Sequence, residues 1–521
     1  MPLILRESTH HHSRPIVQEL LDTFRTHVFS VMPAHMLDVS DPMNPRLIGR
    51  DGVYSLLMGQ LKRYPEETIN AMIEKHRTDH GTTPPIAKAE VIKSIIEEIA
   101  RYAIFSHRWL TVGEITFEEL LHSRAPSDGP GFQKLREFCI KASELRCSLA
   151  WADTCCIDKS SSSELDEAIR SMFRWYRSAH VCVVHLAETT ALSEMERDTW
   201  FTRGWTLQEL LAPVRIKFFG TDWKQLGESD NDKCDAKITG HIVNRTNIPE
   251  EDLRDFTPRP DDVSRRMAWA ANRVTTRVED RAYSLIGIFD VNLIIAYGEG
   301  DRAFGRLMEV IYQKRPHHEV FLWEGRPGYD HASKALPASP ESYLPFHRDD
   351  AEFKDVAAKK RFWKDWDGKF GDTSFALTNR GLSIKCFDVW VTLRSPPLKV
   401  GDDMWELTLC PWHTLEDDIE DIKALVDTET CSDFERTPPE FSAAIGVLDY
   451  LRVDSDRPTY VETMGRLVDG RDHFGWLLMC PMGHAGGWYK VMTYSTVRLR
   501  FKQVANETGR SIEGSLIHVY L

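Results

Sequence analysis

The residues best placed to do chemistry stand where short apolar runs end. Ser106 and His107 close the run AIFSH (103–107), and Asp153 and Asp158 lie at the end of LAWADTCCID (149–158). A hydroxyl, an imidazole and two carboxylates at strand ends are the groups to watch for proton transfer or ligand binding. Cys155 and Cys156 follow directly. With His185 they offer a metal site, and with His107 or His185 as base a thiol nucleophile, although vicinal cysteines at a strand end more often serve packing. Other signatures are missing. There is no GxxxxGK[ST], HExxH, CxxC or GxSxG, and GEGDRAFG (298–305) lacks the GxGxxG spacing.

The elements that must position these groups follow from apolar spacing. Residues 16–100 carry apolar side chains at three- and four-residue intervals, as in VQELLDTFRTHVFSVM and AKAEVIKSIIEEIARYA, with turns such as DPMNPRLIGRDG between them; this predicts an N-terminal helical region over 1–100. Over 101–228, AIFSH, LAWADTCCID, VCVVHLAE and IKFFG alternate with amphipathic helices. Ser163 and Asp166 are expected to open the helix ELDEAIRSMFRWYRSA, and Pro213 to stop the helix in WFTRGWTLQELLAP. Alternation of this kind predicts an α/β fold, a parallel sheet with flanking helices, whose ligands bind outside the carboxyl ends of the strands. A helical connector is expected over 229–330, and a β-rich domain over 331–521 from segments such as GLSIKCFDVWVTL and LIHVYL. The acidic stretch around 114–119 reads as a solvated face, and core packing is the default for EDRAYSLIGIFDV.

Composition bounds the class. The 521 residues include 79 acidic against 65 basic side chains, a net charge of −14, which does not favour a non-specific nucleic-acid binder. Ten cysteines without CxxC are too few for a disulfide scaffold and suggest reduced thiols in a cytoplasmic protein. No run approaches a membrane span, no secretory signal is visible, and His10, His11 and His12 read as a polar terminus.

Several motifs in order carry a family resemblance: YAIFSHRW (102–109), WADTCCIDK (151–159), AIRSMFRWYRSA (168–179), WFTRGWTLQELLAP (200–213) and RVEDRAYSLIGIFDV (277–291). Together they resemble the fungal heterokaryon-incompatibility (HET) domain, densely over 101–228 and more loosely to about 330, with the family opening SHxW standing as Ser106-His107-Arg108-Trp109. That family is remotely similar to TIR domains. The likeness implies a TIR/flavodoxin-like sheet and a role in fungal self/non-self recognition and regulated cell death. TIR enzymes that cleave NAD(+) place a glutamate in a WxxxE arrangement after the third strand, where this chain has Trp205 and Glu209. By that resemblance Glu209 is the catalytic carboxylate. Ser106, His107, Arg108, Trp109, Asp153, Asp158, Arg203 and Trp205 are substrate-binding candidates, the arginines for a pyrophosphate and a tryptophan for ring stacking. NAD(+) enters as substrate, with no further cofactor or metal, and assembly into a homo-oligomer is expected on activation.

The chemistry fits one carboxylate. Breaking the nicotinamide–ribose bond releases a neutral leaving group through an oxocarbenium-like transition state, which a carboxylate stabilises. Two other readings share the motifs: a non-enzymatic adaptor that self-assembles through this domain, and an enzyme acting on another N-glycosidic bond. Five of the residues also have a purely structural alternative: an ion pair with Arg203 or Arg215 for Glu209, core packing for Trp205 and Trp175, a satisfied structural role for His107, and a loop cap for Asp153.

Overall fold

The computed structural model describes residues 15–122, 129–315, 320, 323, 336–344, 376–378, 381–411, 419–426, 431–432, 441–447, 451–453, 464–468, 473–481, 489–490, 497–499 and 511–520. The chain divides into two compact units, Met1–Thr257 and Pro258–Leu521, so the boundary falls inside the stretch expected as a connector.

The first unit opens with helix α1 (Ile16–Ser30), strands β1 (His35–Asp38) and β2 (Arg46–Gly49), and helices α2 (Arg50–Leu61), α3 (Glu66–His80) and α4 (Pro84–Ile99). Proline at its first turn starts α4, and Gly81 at φ +64° ends α3. The sequence anticipates these helices but reads 41–52, the segment holding β2, as a turn and assigns no strand at β1. In the structure the two strands form an antiparallel hairpin whose β1 also pairs with β4. Four-residue strands in a stretch rich in proline, glycine and aspartate carry too little alternation to register.

The central sheet follows: β3 (Tyr102–His107), α5 (Phe117–Leu121), α6 (Pro130–Glu144), β4 (Leu149–Trp151), α7 (Ser162–Ser178), β5 (Val181–His185), α8 (Thr206–Leu211) and β6 (Ile216–Phe219). The sheet order is β2-β1-β4-β3-β5-β6, with β4, β3, β5 and β6 parallel. The fold is therefore mixed α/β with a parallel core. From β3 the chain passes outward to β4 on one side and then returns to β5 on the other, so the order changes direction between β3 and β5.

Two local details differ from expectation. The strand after α6 covers only Leu149–Trp151; from Ala152 the chain turns, with the Cys155 and Cys156 amides bonded to the Ala152 carbonyl at 3.3 and 2.9 Å. Helix α7 is capped by Ser161, whose hydroxyl accepts from the Glu164 amide at 3.3 Å, while Ser163 meets Ser161 side chain to side chain and Asp166 pairs with Arg170 at 3.0 Å. The Asp158 carboxylate sets this start two residues early by binding the Ser160 amide at 2.9 Å.

Every residue of β3 is buried. Alternation sends Tyr102, Ile104 and Ser106 to one face and Ala103, Phe105 and His107 to the other. On the first face the Tyr102 hydroxyl donates to the Trp175 carbonyl of α7 at 2.5 Å. On the second, Phe105 stacks on Phe138 of α6 with centroids 4.3 Å apart. The sheet is thus sandwiched by α6 on one side and by α7 and α8 on the other. The unit continues with α9 (Ala236–Thr246) and α10 (Glu250–Arg254).

The second unit begins with α11 (Val263–Ala271), α12 (Asp280–Tyr283) and α13 (Arg302–Lys314). Here the charged half of RVEDRAYSL is a clamp. Glu279 accepts from the Gly298 and Gly300 amides at 2.7 and 3.2 Å, the Tyr297 hydroxyl donates to Asp280 at 2.9 Å, and the Tyr283 hydroxyl donates to Glu299 at 2.7 Å. Further on, the described strands pair antiparallel, the longest being Gly381–Leu393, which lies between Phe441–Val447 and Ser511–Tyr520. Among the described residues no helix is long and apolar enough to cross a membrane.

Candidate functional site

Glu209 and Ser106 meet at the carboxyl end of β3. The Ser106 hydroxyl donates to Glu209 Oε2 at 2.5 Å and accepts from the indole Nε1–H of Trp200 at 2.8 Å. All three are buried; Glu209 is 5% exposed and Ser106 fully enclosed. Local folding brings them there. Asp198 caps a short 3-10 turn by accepting from the Trp200 amide at 2.9 Å, and Thr206 Oγ1 donates to the Trp200 and Arg203 carbonyls at 2.7 and 2.9 Å, welding that turn to α8. The Glu209 amide bonds the Trp205 carbonyl, so the two residues sit one turn apart, with half-buried Trp205 at the start of α8. At the other end of α8, the buried Lys233 ammonium donates to the Leu211 and Pro213 carbonyls at 3.2 and 2.6 Å, and desolvation drops its pKa to about 7. Burial, and next the negative charge of Glu209, push the Tyr176 hydroxyl well up.

The rim of this edge holds more of the expected residues. The Trp109 indole donates to both oxygens of Asp153, at 3.2 and 3.0 Å, and Lys159 lies 4.1 Å over the Trp109 ring. Trp109 is 39% exposed. Arg108 pairs with Glu188 at 2.5 Å and donates to Thr199. Arg203 is half-buried, and both it and Asp153 lie within electrostatic reach of Lys134.

His107 belongs to a separate cluster on the α6 face. Its ring stacks on Phe105 at 4.0 Å, and its register partner across β3 and β5 is His185, which stacks on Trp223 at 4.4 Å. Neither His107 nitrogen has a hydrogen-bond partner, nor has His185 Nε2. At 3.6 Å the contact from His107 to Glu114 is electrostatic only. Glu114 instead accepts from Lys134 Nζ at 2.6 Å and the Leu110 amide at 2.7 Å. Burial opposes its charge, yet His107 and Lys134 hold its pKa at about 2. Desolvation, then Lys134, lowers His107; desolvation, then His107 and Lys134, lowers His185 to about 4.

Of the residues singled out in the sequence, the structure joins Ser106 to Glu209 and Trp109 to Asp153 along one edge. It turns His107 to the opposite face and commits Asp158 to the turn before α7. Trp175 is core, and Arg215 bonds Asp230 and His180 rather than serving Glu209. Cys155 and Cys156 are buried, and burial with the adjoining Cys155 thiol raises Cys156 well above the ordinary thiol, the reverse of a nucleophile's environment. Among the described residues no cluster of histidine, cysteine or acid side chains could hold a metal ion. Sequence reasoning missed Trp200, Asp198, Lys134 and Glu114. Trp200 lies in a quoted motif, but its bond to Ser106 spans 94 residues and leaves no spacing signal. Glu114 and Glu119 are half-buried and only Glu118 of that acidic stretch is exposed, Glu119 closing a capping box with Thr116.

These elements match a known domain. Residues 102–197 fit the family model described as heterokaryon incompatibility protein (HET). Over 230 residues, 41% of this chain, it is 43% identical to the vegetative incompatibility protein HET-E-1 of Podospora anserina. The match spans 16% of that protein's length. The family match takes in Ser106, Trp109 and Asp153 and stops short of Trp200 and Glu209. No solved structure matches the chain.

Proposed function

We propose that this chain acts in fungal self/non-self recognition and regulated cell death by cleaving NAD(+) at the nicotinamide–ribose bond, with Glu209 as the catalytic carboxylate. The reading rests on one observation: an acid held by Ser106 at 2.5 Å at the carboxyl edge of a parallel sheet, beside the point where strand order reverses. Doubly wound sheets bind their ligands there. In chain order the four parallel strands run second-first-third-fourth, the flavodoxin-like arrangement that supports a TIR-like fold. Glu209 would stabilise the oxocarbenium-like ribose, Asp153 would hold a ribose hydroxyl or the attacking water, Trp109 or Trp205 would stack on a ring, and Arg203 with Arg108 would meet the pyrophosphate. Arg108 must first exchange Glu188 for phosphate. His107 faces the α6 side, within electrostatic reach of Asp153, and Asp158 binds the turn before α7. The domain's family and the name of its relative support the biological setting.

The near-complete burial of Glu209 favours a second reading, a death-signalling adaptor that self-assembles through this domain. Nicotinamide release from NAD(+) by the full chain, at low and high protein concentration, separates the two. Release that Glu209→Ala lowers by roughly 10²–10³-fold supports the enzyme. Release untouched by Glu209→Ala moves the site. No release, even after the chain is crosslinked into assemblies, supports the adaptor.

A further inference from the structure

We propose that Trp200 is a positioning residue for Glu209, acting through Ser106; this rests on the hydrolase reading above. The direction of the two hydrogen bonds is forced by chemistry. An indole nitrogen only donates, and a carboxylate only accepts. With Trp200 Nε1–H directed at Ser106 Oγ at 2.8 Å, the single Ser106 proton goes to Glu209 Oε2 at 2.5 Å. The hydroxyl is left no alternative rotor, and its proton holds one carboxylate oxygen in a fixed orientation relative to β3. Ser106 is then a positioning residue too, not a group that touches substrate.

Trp200 is itself immobilised. Asp198 holds its amide, Thr206 its carbonyl, and its ring packs edge-on against Phe201 and Phe218, 4.9 and 5.9 Å away. Burial alone does not produce such a bond. Trp151 and Trp175 are buried as well, and their indole N–H groups have no partner. Of these three tryptophans, Trp200 alone aims its N–H at the residue that holds Glu209.

The test compares Trp200→Phe, Ser106→Ala, their double variant and Trp151→Phe as a control for ring size, all in the full chain. The kinetics of nicotinamide release from NAD(+) are the readout. Ser106→Ala should lower kcat by about tenfold to hundredfold, the range for losing a hydrogen bond to a charged group, and Trp200→Phe by about twofold to tenfold, the range for a neutral one, each with KM unchanged. The double variant should be no slower than Ser106→Ala alone, because the two side chains act in series. Trp151→Phe should match wild type. Losses that multiply, a change confined to KM, or an equal loss in Trp151→Phe would overturn the assignment. If Trp200→Phe does not fold, benzothienylalanine at position 200 removes the N–H while keeping the ring's shape. If wild type releases no nicotinamide, the hydrolase reading falls by itself, and thermal unfolding of the same variants decides the relay. Melting-temperature losses that fail to add support the Trp200–Ser106 coupling, and additive losses overturn it.

Discussion

Acidification should loosen the carboxyl edge of the central sheet through His185, and the size of the effect follows from its surroundings. Burial, then His107 and Lys134, lower its pKa from 6.5 to about 4. Above pH 6.5 the imidazole is neutral whether the chain is folded or not. Between 6.5 and about 4 the unfolded chain binds a proton that the folded one refuses, so stability falls as pH falls and levels off below 4. At ~1.4 kcal/mol per pH unit the full loss is about 3 kcal/mol, of which about 2 kcal/mol has accrued by pH 5. The chain holds two compact units, so a local measurement suits better than a global melt. Hydrogen exchange of peptides covering β3 and β5, corrected for intrinsic rates, should show about thirtyfold less protection at pH 5 than at pH 7.5 where exchange requires opening of the sheet. In His185→Gln that difference should shrink to what His107, lowered in the same direction, contributes. An undiminished pH difference in His185→Gln would refute the reasoning.

Other substitutions read other parts of the structure. Glu114→Gln strips the buried Lys134 ammonium of its countercharge and should cost about 3–5 kcal/mol, seen as a lowered melting temperature of the first unit; replacing the pair together, with Lys134→Met and Glu114→Leu, should recover much of the loss. Phe138→Ala opens a cavity against Phe105 and should destabilise by roughly 3–5 kcal/mol, with faster hydrogen exchange in β3 and α6. In the second unit, Glu279→Ala leaves the Gly298 and Gly300 amides without their acceptor, at about 1–3 kcal/mol, and limited proteolysis should gain a cut at 296–300.

The α/β alternation, the strands at 102–107, 181–185 and 216–219 and the helices between them were legible because they are long or apolar enough to show their period. The β1–β2 hairpin was not, since its strands are short and its place in the sheet is decided by β4, about a hundred residues away. LAWADTCCID shows why an apolar run overstates a strand: the Ala152 carbonyl accepts two amides and bends the chain after Trp151. Ser106 and Glu209 could be named from motifs, but their contact could not be derived, and neither could the third member, Trp200. The acidic stretch at 114–119 looked uniform in sequence, and only the fold separates Glu114, drawn inward by Lys134, from Glu119, which caps its own helix.

Period two in β3 has a chemical consequence. Ser106 and His107 are adjacent in the SHxW motif and read as one polar pair, yet a strand sends neighbours to opposite faces. One face receives Glu209, Trp200 and Tyr176; the other receives His185, Lys134 and Glu114. A single-site reading of the motif therefore merges two environments of different character. On the α8 face two donors act in line, Trp200 on Ser106 and Ser106 on Glu209. On the α6 face the imidazoles of His107 and His185 are lowered by burial and by Lys134, and three of their nitrogens find no partner. Directed donors around an acid suit a group that must hold one orientation through a reaction. Histidines of lowered pKa beside a buried cation suit a region whose stability depends on pH.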